Sequence, residues 1–154
     1  MVPCSIEGLM KFLTNKKYEP VLQKETNQVY VLFKIDSQDF PLFFRIYEGN
    51  DLLQMLVFFP LQVRKERFEA IARLLHLLNK EIDLPGFGID ESVGLVYHRI
   101  MIPAVNHKLE PHLLESYLES VPKICQQFFS TIAGTAMSEM SFDELMKKSQ
   151  YKAQ

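Results

Sequence analysis

Three histidines in the second half of the sequence are residues that could bind a metal ion. His98, His107 and His112 are separated by nine and five residues. Zinc sites pair their Cys and His ligands at shorter spacings, roughly two to five residues apart, and no cysteine pair lies nearby. We therefore predict partly exposed histidines on a strand, in a loop and at a helix start, and no metal site.

Cys125 is the residue that could act as a nucleophile if a histidine and an acid lay beside it. Val121 and Phe128 fall about one helical turn to either side of Cys125, which places the thiol on the apolar stripe of a helix. This pattern predicts a buried structural cysteine.

The Gly86-Phe87-Gly88 segment could suggest a phosphate-binding loop, but it is too short and precedes a strand rather than a helix. We interpret it as a turn with a bulge. No acid/base pair or nucleophile–base pair can be placed at one spot, so the sequence predicts a protein that is not an enzyme, with no catalytic residues and no cofactor.

The segment from Val29 to Phe59 is the part of the chain that the other elements must be arranged around. It reads as three strands, QVYVLFKI, FPLFFRIY and LLQMLVFF, joined by turn residues at 36–39 and 48–51. Such short connections predict antiparallel hairpins. Apolar residues occupy both sets of alternating positions, so we expect a sheet that is apolar, and covered, on both faces.

Two arginines and the aromatic residues of the three central strands make this sheet relevant to function. Arg45 and Arg99 lie mid-strand, where each could anchor a partner's carboxylate, reach the sheet rim, or pair with a local acid such as Glu48. One apolar face is enough for a core of this size. The surplus face needs a cover, which could be the third helix, a second copy of the chain, or a partner's peptide.

The remaining elements predict an α+β fold of order α-ββββ-α-ββ-α with a short C-terminal helix. Helices are predicted over 5–15, 64–82 and 110–131, the last kinked or split by Pro122 and capped by Gly134. A capping box from Ser141 to Glu144 opens the final helix. Further strands are expected over 18–23, 86–90 and 95–102.

Composition points to one domain, 1–140, followed by a helical tail, 141–154. The net charge is −2, so neither nucleic acid nor an anionic membrane is an expected partner. No run approaches the roughly 18–20 apolar residues of a membrane span, and the first ten residues do not resemble a secretory signal. With only Cys4 and Cys125, a reducing, cytoplasmic location is expected.

The run LLNKEIDLPGFGIDESVGLVYHRIMIP, from Leu77 onward, resembles the YbjN-like family of bacterial proteins. The shared pattern is a helix ending Leu-Asn, a short loop, Gly-Phe-x-x-Asp, and a strand with an Arg and a closing Pro. Leu109-Glu110-Pro111-His112-Leu113 is similar as well, and the resemblance covers about Ser5 to Ala133. It implies the fold of class I type III secretion chaperones, which are small cytosolic dimers that bind an extended effector segment. It implies no catalytic residue.

We therefore predict a non-catalytic interaction module, a chaperone-like or regulatory homodimer that holds a partner protein or a secreted effector segment. Apolar burial would be combined with hydrogen bonding at a sheet edge, expected at 18–23 or 95–102. The alternative is a small-molecule sensor or carrier with an apolar pocket between sheet and helices. The predicted partner-binding residues are Phe43, Arg45, Tyr47, Leu56, Phe58, Leu74 and Leu77.

Overall fold

A six-stranded antiparallel sheet forms the frame of the molecule. The computed structural model describes residues 1–153, with side chains described for residues 1–149. The strand order is β2-β3-β4-β5-β7-β6. These strands are β2 (Val21–Gln23), β3 (Gln28–Ile35), β4 (Gln38–Ile46), β5 (Leu52–Phe58), β6 (Phe87–Asp90) and β7 (Leu95–Pro103). The three predicted central strands are confirmed, but the first turn is shorter than the predicted 36–39, because Gln38 and Asp39 already belong to β4.

A second, two-stranded sheet was not anticipated from the sequence. Here β1 (Val2–Pro3) pairs with β8 (Lys108–Leu109) in antiparallel register. Val2 and Leu109 are both buried. Strands of two residues give no alternation long enough to detect, so only the tertiary contact defines them.

Residues 1–153 contain four helices: α1 (Ile6–Asn15), α2 (Phe68–Glu81), α3 (Pro111–Met137) and α4 (Phe142–Ala153). Ser5 caps α1 by accepting a hydrogen bond from the Gly8 amide at 3.0 Å. The predicted capping box is present at α4, where the Glu144 amide donates to Ser141 Oγ at 3.2 Å. The α+β class is thus confirmed.

Two predicted helix boundaries were wrong. Residues 65–67 form a 3₁₀ turn before α2, which therefore begins at Phe68 rather than Arg64. Helix α3 is not split at Pro122 and runs on to Met137, so Gly134 lies inside it and is not its C-cap. Burial of Ile132 and Ala136 beyond the proline explains the continuation, because tertiary packing outweighs the lost hydrogen bond.

The core lies between the sheet and α3. The Phe129 ring of α3 contacts the ring of Phe40 edge-on at a centroid distance of 5.4 Å, and Phe128 contacts Phe87 at 5.6 Å. We call the side of the sheet beneath these rings the inner face. Most of its residues are fully or almost fully buried: Val29, Val31, Phe40, Leu42, Phe44, Leu53, Met55, Val57, Val96, His98, Ile100 and Ile102.

The opposite side of the sheet, the outer face, consists of the alternating residues and none of them is buried. Of the three possible covers of the surplus face, the third helix is therefore excluded: within residues 1–149 the chain itself leaves this face exposed or half-buried. Helix α3 covers the inner face and cannot also cover the outer one. The outer face comprises Tyr30, Leu32, Lys34, Pro41, Phe43, Arg45, Leu52, Gln54, Leu56, Phe58, Tyr97, Arg99 and Met101.

The sheet edges differ in part from the prediction. Strand β2 is an edge, as expected for 18–23, although only Val21–Gln23 pair. Strand β7 is internal, because it pairs with β5 on one side and with β6 on the other. The second edge is therefore β6, and the expectation that 95–102 forms an edge was wrong.

Arg67 joins the C-terminal helix to the rest of the fold. Its guanidinium donates to the Thr135 carbonyl near the end of α3 at 2.8 Å and to the Met140 carbonyl before α4 at 2.8 Å. Phe142 of α4 is buried and its ring lies 4.6 Å from the guanidinium carbon of Arg73 on α2. Helix α4 therefore packs on α2 and extends the single core.

Candidate partner-binding surface

Aromatic rings on three neighbouring strands form the centre of the outer face. Tyr30 pairs with Phe43 and Phe43 pairs with Leu56 across the sheet. The Phe43 ring lies 5.4 Å from the ring of Tyr30 and 5.9 Å from that of Phe58. Because every second residue of a strand points to the same side, this row is a direct consequence of the sequence pattern.

The outer face is solvent-accessible as well as apolar. Leu32 is 52% exposed and Met101 is 38% exposed, while Tyr30, Phe43, Leu56 and Phe58 are half-buried by their neighbours in the sheet. Contiguous apolar surface of this kind is typical of an interaction site in a soluble protein.

A polar cluster lies at the end of this row. The Arg45 guanidinium carbon lies 4.7 Å from the centroid of the Tyr47 ring, and the Tyr47 hydroxyl donates to Gln54 Oε1 at 3.2 Å. Arg45 does not pair with Glu48, the acid suggested by the sequence, and stacks on Tyr47 instead.

Both outer-face arginines are exposed and unpaired. Among residues 1–149, neither Arg45 nor Arg99 forms an ion pair with a carboxylate. An exposed guanidinium can bind a carboxylate through two parallel hydrogen bonds. The outer face therefore combines an apolar centre with cationic groups that are free to bind an anion.

Five of the seven predicted binding residues lie together on or next to this face: Phe43, Arg45, Tyr47, Leu56 and Phe58. Leu74 and Leu77 lie apart from them on α2. Leu74 is buried in the core, and Leu77 lies beside Phe142 of α4. Tyr30, Leu32, Tyr97 and Met101 also belong to the outer face, and their alternation with the buried residues is the signal that identifies them.

His98 is the buried titratable group of the sheet. Its Nε2 donates to the Leu84 carbonyl at 2.7 Å, and its Nδ1 is buried without a partner among the described side chains. Burial lowers the pKa of His98, and the hydrogen bond to Leu84 offsets this only in part. His98 thus acts as a neutral core residue, whereas the sequence suggested partial exposure.

The other candidate chemical residues are separated from one another. His107 and His112 are exposed, and residues 1–149 contain no cluster of His, Cys, Asp or Glu side chains suited to a metal ion. Cys125 is fully buried, and burial raises the pKa of its thiol to about 12. A thiol in this state is not a nucleophile at neutral pH.

The layer between sheet and helices, where the small-molecule alternative requires a pocket, is filled by side chains. Phe40, Phe59 and Phe129 contact one another with centroid distances of 5.4 to 6.5 Å. The clefts we find lie at the surface, for example along the N-terminal segment and beside β2.

The fold and the outer face define an α+β protein whose sheet is covered by helices on one side only. Residues 5–134, most of the chain, match the family model YbjN, described as "putative bacterial sensory transduction regulator". The chain belongs to the YbjN family, which confirms the resemblance seen in the sequence. The description supports a regulatory rather than a catalytic role.

No match to this chain was found among curated proteins. Across residues 1–153, no helix combines the length and apolarity needed to cross a bilayer.

Proposed function

We propose that this protein is a non-catalytic interaction module that binds a partner polypeptide through its outer face in the cytoplasm. The observation that supports the proposal is the row Tyr30–Phe43–Phe58, an aromatic surface on rigid strands that the protein's own helices leave uncovered. The regulatory description of the family agrees with a role exerted through binding.

The energetics of such a surface are sufficient for specific binding. Apolar burial contributes about 25 cal/mol per Å², so a few hundred Å² contribute several kcal/mol before the cost of ordering the partner. Aromatic and arginine side chains are the residue types that most often dominate binding energy. Phe43, Phe58 and Arg45 are therefore the anchors we expect.

The partner in this proposal is a protein or an effector segment, held in the way that the family resemblance implies for class I secretion chaperones. Homodimerisation is the second part of the proposal, since two copies could bury apolar surface against each other. A dimer that uses the outer face would compete with a partner for Phe43 and Phe58. Oligomeric state and partner binding must therefore be measured on the same variants.

The test uses a double variant, Phe43→Asp with Tyr47→Asp, and a matched control, Leu113→Asp. Leu113 is 39% exposed and lies on α3, so the control also places a carboxylate on an exposed apolar residue but away from the outer face. Circular dichroism checks that each variant folds. Each tagged variant is incubated with a lysate of the source cell, and the proteins that it retains are quantified by mass spectrometry. Oligomer size is measured by light scattering.

We expect at least one polypeptide to be retained by the wild type and by Leu113→Asp, and lost from the double variant. Direct binding of that polypeptide to the purified protein, with the same dependence on the outer face, would complete the test. If the folded double variant retains the same proteins and has the same oligomer size as the wild type, the proposal is wrong.

A further inference from the structure

Within residues 1–153, five of the eight residues of strand β3 have no neighbouring strand on one side. Strand β2 pairs only with Gln28, Val29 and Tyr30, whereas β3 continues to Ile35. The chain preceding β2 turns away from the sheet at Pro20, and Tyr18 instead donates its amide to the Leu13 carbonyl at the end of α1. Residues 31–35 therefore form an open edge at the end of the outer face.

The hairpin geometry shows which backbone groups face this edge. Asp36 and Ser37 have positive φ values of 51° and 66°, which is the conformation of a two-residue hairpin turn. In such a hairpin the closing pair Ile35–Gln38 is hydrogen-bonded, and bonded and non-bonded pairs then alternate. The amides and carbonyls of Leu32 and Lys34 consequently point away from β4. Pro41, opposite Leu32, has no amide to donate, in agreement with this pattern.

A surface cleft lies beside this edge. It has a volume of about 570 Å³ and is bordered by residues 17–19 on one side and by Val31, Leu32 and Lys34 of β3 on the other. Apolar contacts would come from Val21, Tyr30 and Leu32, all of which line the cleft. Its charged residues are Lys17, Lys34 and Glu19, so cations outnumber anions.

We propose that this open edge binds a short extended polypeptide segment, added as a strand next to residues 31–35, that carries carboxylate side chains. The proposal rests on the proposed function in that the partner is a polypeptide, and it adds where and in what conformation the partner binds. Alternating amides and carbonyls are matched by another backbone in strand conformation. Lys17 and Lys34 give the segment its preference for acidic residues.

A second copy of the chain fits this edge less well. Pairing two β3 edges would bring Lys17 and Lys34 of both copies together, and like charges at close range oppose association. Strand β2 already occupies the β3 edge at residues 28–30, so only about five residues of an added strand can pair with β3. A short peptide meets this limit, while a second β3 would meet the β2 strand of its partner.

The test uses synthetic peptides and amide hydrogen exchange measured by NMR on the full chain. The probe is acetyl-Glu-Val-Glu-Val-Glu-Val-amide. One control peptide replaces each Glu by Lys, and another carries N-methyl groups at alternate amides so that one edge of the peptide cannot donate. In the free protein we expect the Leu32 and Lys34 amides to exchange fast, and those of Val31 and Phe33 to be protected.

Binding of the acidic peptide should slow exchange at Leu32 and Lys34 about tenfold or more. The N-methylated peptide should bind about tenfold more weakly, the effect of losing two hydrogen bonds. The lysine peptide should bind more weakly than the acidic one, and Lys34→Glu should reverse that preference. The Leu113→Asp variant should show the same protection as the wild type, because Leu113 lies on α3 and does not border the cleft.

Several results would overturn the inference. One is binding of the acidic peptide without protection of Leu32 and Lys34, or no binding at all. Binding of the N-methylated peptide as tightly as the unmethylated acidic peptide would be another such result. Protection of both amides in the free protein that rises with protein concentration would assign the edge to a second copy. Each can occur while the outer face still binds its partner, so failure here is distinguishable from failure of the proposed function.

Discussion

The side-chain amide of Asn79 binds both backbone groups of Phe87. Its Nδ2 donates to the Phe87 carbonyl at 3.0 Å, and its Oδ1 accepts from the amides of Phe87 at 2.9 Å and Gly86 at 3.1 Å. A helix side chain here takes the place of a neighbouring strand at the start of β6. Covering an edge in this way is a known protection against unwanted pairing, whereas no side chain of residues 1–149 binds the β3 backbone at Leu32 in this way.

Replacing Asn79 by alanine should destabilise the protein by about 2–3 kcal/mol, because three backbone groups lose their partners. Urea unfolding followed by circular dichroism measures the change. The matched control is Lys80→Ala, an exposed position on the same helix for which we expect less than about 0.5 kcal/mol. Equal stabilities of the two variants would show that the Asn79 hydrogen bonds contribute nothing.

Phe43 and Phe44 are adjacent in sequence but lie on opposite faces of the sheet, and this predicts unequal costs of removal. Phe44 is fully buried, so Phe44→Ala should cost about 3–5 kcal/mol. The Phe43→Ala substitution removes only the cross-strand contacts of Phe43 with Tyr30 and Phe58. It should therefore lower the free energy of unfolding by about 1–2 kcal/mol. Urea unfolding of both variants checks this. A larger cost for Phe43 would mean that the outer face is covered in solution.

Much of the fold could be predicted because it depends on local signals. Turn residues at 36–37 define a hairpin, Ser5 and Ser141 cap helices, and alternation defines both faces of β3 to β5. The position of β7 inside the sheet depends instead on its pairing with β5, across the intervening α2, and no local pattern encodes that. Strands β1 and β8 are likewise defined only by their mutual contact.

The candidate site could be predicted in part for the same reason. Phe43, Leu56 and Phe58 share a face through alternation and register, which the sequence contains. Leu74 and Leu77 were grouped with them because both are apolar, yet their location depends on how α2 packs against α3 and α4. The open edge at Leu32 follows from the short length of β2, and strand length is set by where Pro20 and residues 17–19 go in three dimensions.

Arg67 should be the residue that holds the end of α3 and the start of α4 in place. It is only 7% exposed and donates three hydrogen bonds to the carbonyls of Thr135 and Met140. Arg67→Met should cost about 2–4 kcal/mol and should speed hydrogen exchange over residues 145–148. The control is Lys65→Met in the same turn, where the side chain is exposed. Unchanged exchange in the Arg67 variant would contradict this role.

Neither cysteine should react with a thiol reagent in the native protein. Cys4 is 1% exposed and Cys125 is fully buried. Burial raises the pKa of both thiols, that of Cys125 to about 12, and the nearby Asp51 adds to the effect at Cys4. We expect no colour with Ellman's reagent at about pH 8 until urea unfolds the chain. A Leu32→Cys variant should react at once, since Leu32 is 52% exposed.

His98 should make the protein less stable as the pH falls. Because burial lowers its pKa in the folded state below the ordinary value of 6.5, the unfolded chain binds the proton more readily. The free energy of unfolding is therefore unaffected by His98 well above pH 6.5 and decreases below it, by up to about 1.4 kcal/mol per pH unit, until the folded-state pKa is passed. Protonation would also place a second N–H donor at Nδ1, which has no partner among the described residues.

Urea unfolding at intervals between about pH 7.5 and pH 5.5 measures this loss. The comparison is with His98→Gln, which retains a side-chain N–H donor for the Leu84 carbonyl and cannot titrate in this range. The variant should be less stable at neutral pH but should lose less stability on acidification. The exposed His76, His107 and His112 are common to both proteins, so the difference between the two slopes reports His98 alone. Parallel slopes would show that His98 does not couple protonation to folding.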